Sequence, residues 1–161
     1  MQKITPCLWF DNNAEEAVNF YTSIFKNSKI TGCSRYGEDA AKASGRPTGT
    51  VLVMTFQLEG QEFSALNGGP RFTFSPAISL VANCNTQEEI DDLWEKLSAG
   101  GTIEQCGWLR DKYGVSWQVV PTIVAKMMQD EDDARVNRVM KAILQMKKLD
   151  IETLEQAFRQ E

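Results

Sequence analysis

One order of signals occurs twice in this chain, and that doubling restricts the possible folds more than any other feature. Ile4-Thr5-Pro6-Cys7-Leu8-Trp9-Phe10 is uncharged and β-prone, and Asp11-Asn12-Asn13 breaks it. Ala14, Ala17, Val18, Tyr21, Ile24 and Phe25 then follow one face of a helix. Asn13 and Glu16 stand in the relation of a capping box, with Asn in place of Ser or Thr. Strands are expected over 29–36, 50–58 and 61–67, the last two turning at Glu59-Gly60, with a polar loop over 37–48. About 73 residues after the first strand the order recurs. Residues 77–82 read as a strand, and Thr86-Gln87-Glu88-Glu89 is a capping box with the preferred residue types. Ile90, Leu93, Trp94 and Leu97 line the helix that follows, and Gly100-Gly101 stops it. Short strands are expected over 102–106, 108–110 and 115–120, with a turn at Asp111-Lys112-Tyr113-Gly114.

Two βαβββ modules are the simplest reading, and they make an α+β fold. Their strands can join into one curved mixed sheet, with helices on its convex side and a concave cavity between the modules. The expected organisation is one domain over 1–161: module one at about 1–70, module two at about 71–121, and a helical tail at about 122–161. In the tail, Val136, Val139, Met140, Ile143 and Leu144 form a stripe, and Asp150 can cap a last helix carrying Ile151, Leu154 and Phe158. Such a stripe must be covered by its own domain or by a second copy.

Composition narrows the function. The net charge is −5, with no basic cluster beyond Lys147-Lys148, so a nucleic-acid partner is not expected. No apolar run approaches the roughly 20 residues of a membrane span, and the segment from Met1 to Pro6 lacks a secretory core. A cytoplasmic location is therefore expected. Cys7, Cys33, Cys84 and Cys106 form no CxxC pair, which leaves free thiols as the reading, with Cys106 beside Gly107 as a reactive alternative. There is no His, hence no Ser/His/Asp or Cys/His arrangement. Paired acids such as Glu15-Glu16 and Asp91-Asp92 sit on expected helix surfaces, where a solvated face is the plain reading.

Several segments resemble the PhnB-like proteins of the vicinal oxygen chelate (glyoxalase, bleomycin-resistance and dioxygenase) superfamily. They are Ile4 to Phe10 with Ala14-Glu15-Glu16-Ala17 and Phe20-Tyr21; Ala65-Leu66-Asn67-Gly68-Gly69; Cys106 to Gln118, containing the D-x-x-G turn; and the tail from Val139 to Asp150. The resemblance implies the two-module fold with its cavity. In metal-dependent members it also implies a divalent ion held by His and Glu on the first and last strands of each module. Those positions fall here on Thr5, Phe63 or Ser64, Ala77 and Gln118, so no metal and no cofactor is expected. Relatives often carry a demethylubiquinone methyltransferase-like label. No Gly-rich loop supports it, because Gly68-Gly69 runs at once into Pro70 and opens no helix.

The cavity itself is still expected. Strand alternation groups Thr5 with Cys7 and Trp9, Gln118 with Ser116 and Val120, and Ala77 with Ser79 and Val81. Asn67, Phe72, Phe74 and Trp108 are expected near its mouth. The candidate ligand pocket is thus Thr5, Cys7, Trp9, Asn67, Phe72, Ser79, Trp108 and Gln118, mostly apolar with a few polar groups. A metal-free, small-molecule-binding homodimer is the expected function. The alternative is an enzyme of the same fold, of isomerase, lyase or dioxygenase class. The cavity holds no strong acid or base, which separates the two.

Overall fold

The structure, a computed structural model, describes residues 2–160. It divides into two compact units, Met1–Phe74 and Ser75–Glu161. The eight strands are hydrogen-bonded as two four-stranded mixed sheets, one per unit, rather than as a single ladder.

The first unit runs β1 (Cys7–Phe10), α1 (Ala14–Ile24), β2 (Ser28–Arg35), α2 (Glu38–Ser44), β3 (Val51–Leu58) and β4 (Gln61–Asn67). Its sheet order is β1-β4-β3-β2, with β1 parallel to β4 and the other pairs antiparallel. Helix α1 buries Ala14, Ala17, Val18, Tyr21 and Ile24 against the sheet, which is the periodic face expected from the sequence. From the sheet, Leu8, Phe10, Met54, Phe56, Phe63 and Ala65 meet it. The Tyr21, Phe56 and Phe63 rings stack in series, with centroids 6.4 and 5.3 Å apart.

Two local expectations fail here for identifiable reasons. Asn13 makes no side-chain cap; the first N–H of α1, on Ala14, donates instead to Asn67 Oδ1 at 2.9 Å. The polar loop over 37–48 contains α2. Its first turn carries Glu38 and Asp39, and Gly45 ends it in the left-handed conformation at φ 71°. Only Ala41 of this helix is buried, so it leaves no periodic stripe in the sequence.

The second unit runs β5 (Ser79–Cys84), α3 (Gln87–Ser98), β6 (Thr102–Ile103), β7 (Trp108–Arg110) and β8 (Ser116–Pro121), then α4 (Ile123–Met127), α5 (Asp133–Gln145) and α6 (Ile151–Arg159). Its order, β5-β8-β7-β6, repeats the pattern of the first sheet. Thr86 caps α3 as expected, while Glu89 reaches back one residue beyond the cap's own N–H. Thr86 Oγ1 accepts from the Glu89 N–H at 3.2 Å, and Glu89 Oε2 accepts from the Asn85 N–H at 2.6 Å. Strand β6 stops at Ile103, short of the expected Cys106. Cys106 adopts φ 59° and Gly107 φ 82°, two successive left-handed residues that turn the chain between β6 and β7.

Those two residues dock the tail. The Cys106 N–H donates to the Met146 carbonyl at 2.8 Å, and the Gly107 N–H to the Lys147 carbonyl at 2.7 Å. Beneath this clamp Met127, Val139, Ile143, Leu149 and Leu154 form a core with Cys106 and Val120 packed against it. The tail is therefore covered by its own unit. Of the expected stripe, Val139 and Ile143 turn inward while Met140 and Leu144 remain exposed. Asp132 caps α5 and Asp150 caps α6.

Candidate functional site

Each sheet has one face covered by α1 or α3, and alternation assigns the candidate residues to the other; on the second sheet the Val120 end of that other face is packed against the tail core. In the first unit, register pairs Cys7 with Ser64, Trp9 with Leu66, and Phe10 with Asn67. Leu8 and Phe10 are buried under α1, so Cys7, Trp9, Ser64 and Leu66 occupy the open face. The position left between Phe63 and Ser64 thus belongs to Ser64; Phe63 is core. Glu62, two residues before Ser64, shares the open face, and its carboxylate accepts from the Gln2 N–H at 2.7 Å. Thr5 precedes β1 and is exposed.

Trp9 is held in place. Its indole Nε1 donates to the Gly69 carbonyl at 2.9 Å, and Phe72 meets its ring edge-on at 5.0 Å. A Cβ at Gly68 would overlap the indole ring, so glycine is required there by close approach. Arg71 lies over Phe72 at 5.2 Å from the ring centre. The diglycine is therefore a seat for Trp9.

Asn67 belongs to the helix-covered face with Phe10, and its amide is committed to the backbone. Besides accepting from Ala14, it donates through Nδ2 to the Val51 carbonyl at 3.1 Å. Its own carbonyl accepts from the Tyr36 hydroxyl at 2.6 Å. One side chain thus ties α1 to β3 and β4. Strand alternation carried this signal, since Asn67 lies an even number of residues from Phe63 and Ala65.

In the second unit, register pairs Ser79 with Ser116, Val81 with Gln118, Trp108 with Gln118 and Arg110 with Ser116. Leu109, Trp117 and Val119 are buried on the side of α3. Ser79, Val81, Trp108, Arg110, Ser116 and Gln118 therefore share the open face, within which Ser116 is itself buried. Gln118 Nε2 donates to Ser79 Oγ at 2.9 Å. Ala77 precedes β5 and is exposed.

Asp111 is the buried carboxylate nearest this face, yet it points away from it. Oδ1 accepts from the Tyr113 and Val115 N–H groups at 2.8 and 3.1 Å, and Oδ2 from the Trp117 indole at 2.9 Å. It organises the turn and anchors Trp117 in the core. Of the thiols, Cys7 and Cys33 are exposed and Cys84 is buried. Burial, reinforced by Glu89, pushes the Cys84 thiol up to about 11.

The model of the family described as 3-demethylubiquinone-9 3-methyltransferase matches residues 2–120. The chain belongs to this PhnB-like family. A PhnB protein of Bacillus cereus, which carries the same methyltransferase name provisionally, is 45% identical, covers 75% of this chain and 100% of its own, and superposes with a TM-score of 0.67. A Pseudomonas aeruginosa protein at 19% identity covers 75% of this chain and 98% of its own at a TM-score of 0.61. A fosfomycin resistance protein of Listeria monocytogenes, complexed with Mn(II) and sulfate, is 13% identical, covers 75% of this chain and 91% of its own, and has a TM-score of 0.50. The last two establish likeness of fold alone, that of the vicinal oxygen chelate superfamily. The comparison with curated proteins found no match. The family match ends before α4, so the tail lies outside it.

The PhnB-like chain does not fit the superfamily's metal. Thr5, Ser64, Ala77 and Gln118 offer no imidazole, thiolate or carboxylate, and the Gln118 amide is bonded to Ser79. Among the described residues no three His, Cys, Asp or Glu side chains converge.

Proposed function

We propose that this PhnB-like protein is a metal-free binder of a small, mostly apolar molecule, acting in the cytoplasm as a homodimer. The observation that carries the reading is the Gln118–Ser79 hydrogen bond. It places a neutral amide and hydroxyl pair, flanked by Trp108 and Val81, where metal-dependent relatives would need a charged ligand. Such a face suits an apolar body with one polar group. Trp9 and Phe72 give the first unit a comparable aromatic surface. No helix among the described residues is long and apolar enough to cross a membrane, which is compatible with this setting. Methyl transfer forms no part of the proposal. The diglycine after β4 seats an indole ring, and the next long helix, α3, starts only at Gln87, after an intervening strand.

Native mass spectrometry of untagged protein purified from cells, combined with elemental analysis, tests the reading. The expected result is a co-purifying organic mass and no stoichiometric zinc, nickel, manganese or iron. About one metal ion per chain, lost on Gln118→Ala, would overturn it and favour an isomerase, lyase or dioxygenase.

A further inference from the structure

The open face of the second sheet contains a cation without an anion. Arg110 is exposed on β7, and among the described residues no carboxylate lies within ion-pair distance of it. Its sequence neighbour Asp111 cannot neutralise it. Alternation sends that carboxylate to the other side, where the Trp117 indole and two backbone N–H groups hold it.

Register places Arg110 in an ordered grid. One cross-strand row reads Arg110, Ser116, Ser79; the next reads Trp108, Gln118, Val81. Strands lie about 4.8 Å apart, and the rows are separated by two residues, or about 6.6 Å. The first row offers the Arg110 guanidinium and the half-buried Ser79 hydroxyl, with Ser116 buried between them. The second offers an indole and an isopropyl group that is 49% exposed, on either side of an amide. The Gln118–Ser79 bond crosses diagonally between rows and fixes the amide. Polar recognition is thus concentrated in one row and apolar surface in the next.

Resting on the binding role proposed above, we infer that the ligand is an amphipathic carboxylic acid. Its carboxylate sits on the first row, where Arg110 forms a charge-assisted pair and the Ser79 hydroxyl donates. Its aryl or alkyl body lies across Trp108 and Val81. A phosphate group is less well served, because one guanidinium and one accessible hydroxyl leave a second negative charge unmatched.

Calorimetric titration with phenylbutyrate and octanoate, each against its neutral amide, tests the inference. The acids are expected to bind about tenfold or more tighter than their amides, the scale of one charge-assisted contact. Arg110→Gln should bring the acids to the affinity of the amides, leave the amides and the melting temperature unchanged, and be partly rescued by Arg110→Lys. Gln118→Leu should weaken acid and amide alike. Equal binding of acid and amide, or an acid preference that survives Arg110→Gln, overturns the carboxylate assignment alone. If no compound binds at millimolar concentration, the assignment fails together with the open-face reading beneath it.

Discussion

Asn67 concentrates more of the first unit's order than any other polar side chain described here. It is 5% exposed, and its amide satisfies the first N–H of α1 and the Val51 carbonyl together. Replacing it with Ala leaves both backbone groups buried without partners, at about 1–3 kcal/mol each. Asn67→Ala is expected to lower the unfolding free energy by about 2–6 kcal/mol with an unchanged denaturant slope. Urea titration measures this, and a loss under about 0.5 kcal/mol would mean that water replaces the amide. Cys84 gives a prediction in pH. Its thiol is raised from 9.0 to about 11 in the folded chain, so above pH 9 the unfolded chain gives up a proton that the native chain retains. Stability should therefore fall as pH rises from 9 towards 11, and the fall should flatten in Cys84→Ala. In the folded protein, thiol reagents should modify exposed Cys7 and Cys33 and leave Cys84 unlabelled until denaturant is added.

At the scale of elements, what was legible in the sequence is what local chemistry decides. Thr86 caps the Glu89 N–H three residues on and Glu89 returns to Asn85, all within one turn, so α3 is readable to its first residue. The Ala14 to Ile24 face and the Glu59-Gly60 hairpin are equally local. The N-terminus of α1 was not readable, because its cap comes from Asn67, 53 residues away. The groupings of Cys7 with Trp9, of Ser79 with Val81, and of Gln118 with Ser116 followed from alternation, whereas the contact between Ser79 and Gln118 needed the pairing of β5 with β8. The seating of Trp9 on Gly68-Gly69 and, separately in the second unit, the pairing of Arg110 with Ser116 needed the structure. The tail's docking was also hidden, since it depends on Cys106 and Gly107 turning into the left-handed region. Gln87 seals that docking from α3. Its Nε2 donates to the Leu149 carbonyl at 3.2 Å, and its Oε1 accepts from the Ile151 N–H at 2.9 Å. Lys148 adds an ion pair to Asp91 at 2.6 Å, and hydrogen bonds from Lys148 and Gln87 hold the Asp91 carboxyl below its usual range. Gln87→Ala is expected to speed amide exchange across 147–159 by about tenfold, the effect of roughly 1.4 kcal/mol, while 14–67 keeps its protection. Hydrogen-exchange mass spectrometry reads both segments, and equal acceleration in the two would show that the effect is not local to the tail.

For the whole molecule, the proposed homodimer makes the strongest demand on the surface. A stable interface needs about 800 Å² from each partner, which two side chains cannot supply. Met140 and Leu144, spaced one turn apart and 39% and 62% exposed, are therefore anchors within a larger patch if the tail takes part. Both project from α5 beside Val139 and Ile143, which hold the helix to its own core, so a change at the exposed pair leaves that core intact. Sedimentation equilibrium at micromolar concentration should give about twice the 18.1 kDa chain mass. Each aliphatic side chain transferred out of water contributes about 1.5–3 kcal/mol, so Met140→Glu with Leu144→Glu should raise the dimer dissociation constant by about a hundredfold or more. Circular dichroism should change little, because neither side chain is part of the packed tail. A single-chain mass across the whole concentration range rejects the dimer. A dimer of unchanged affinity in the double variant removes the tail from the interface and leaves the strand-built surfaces to form it.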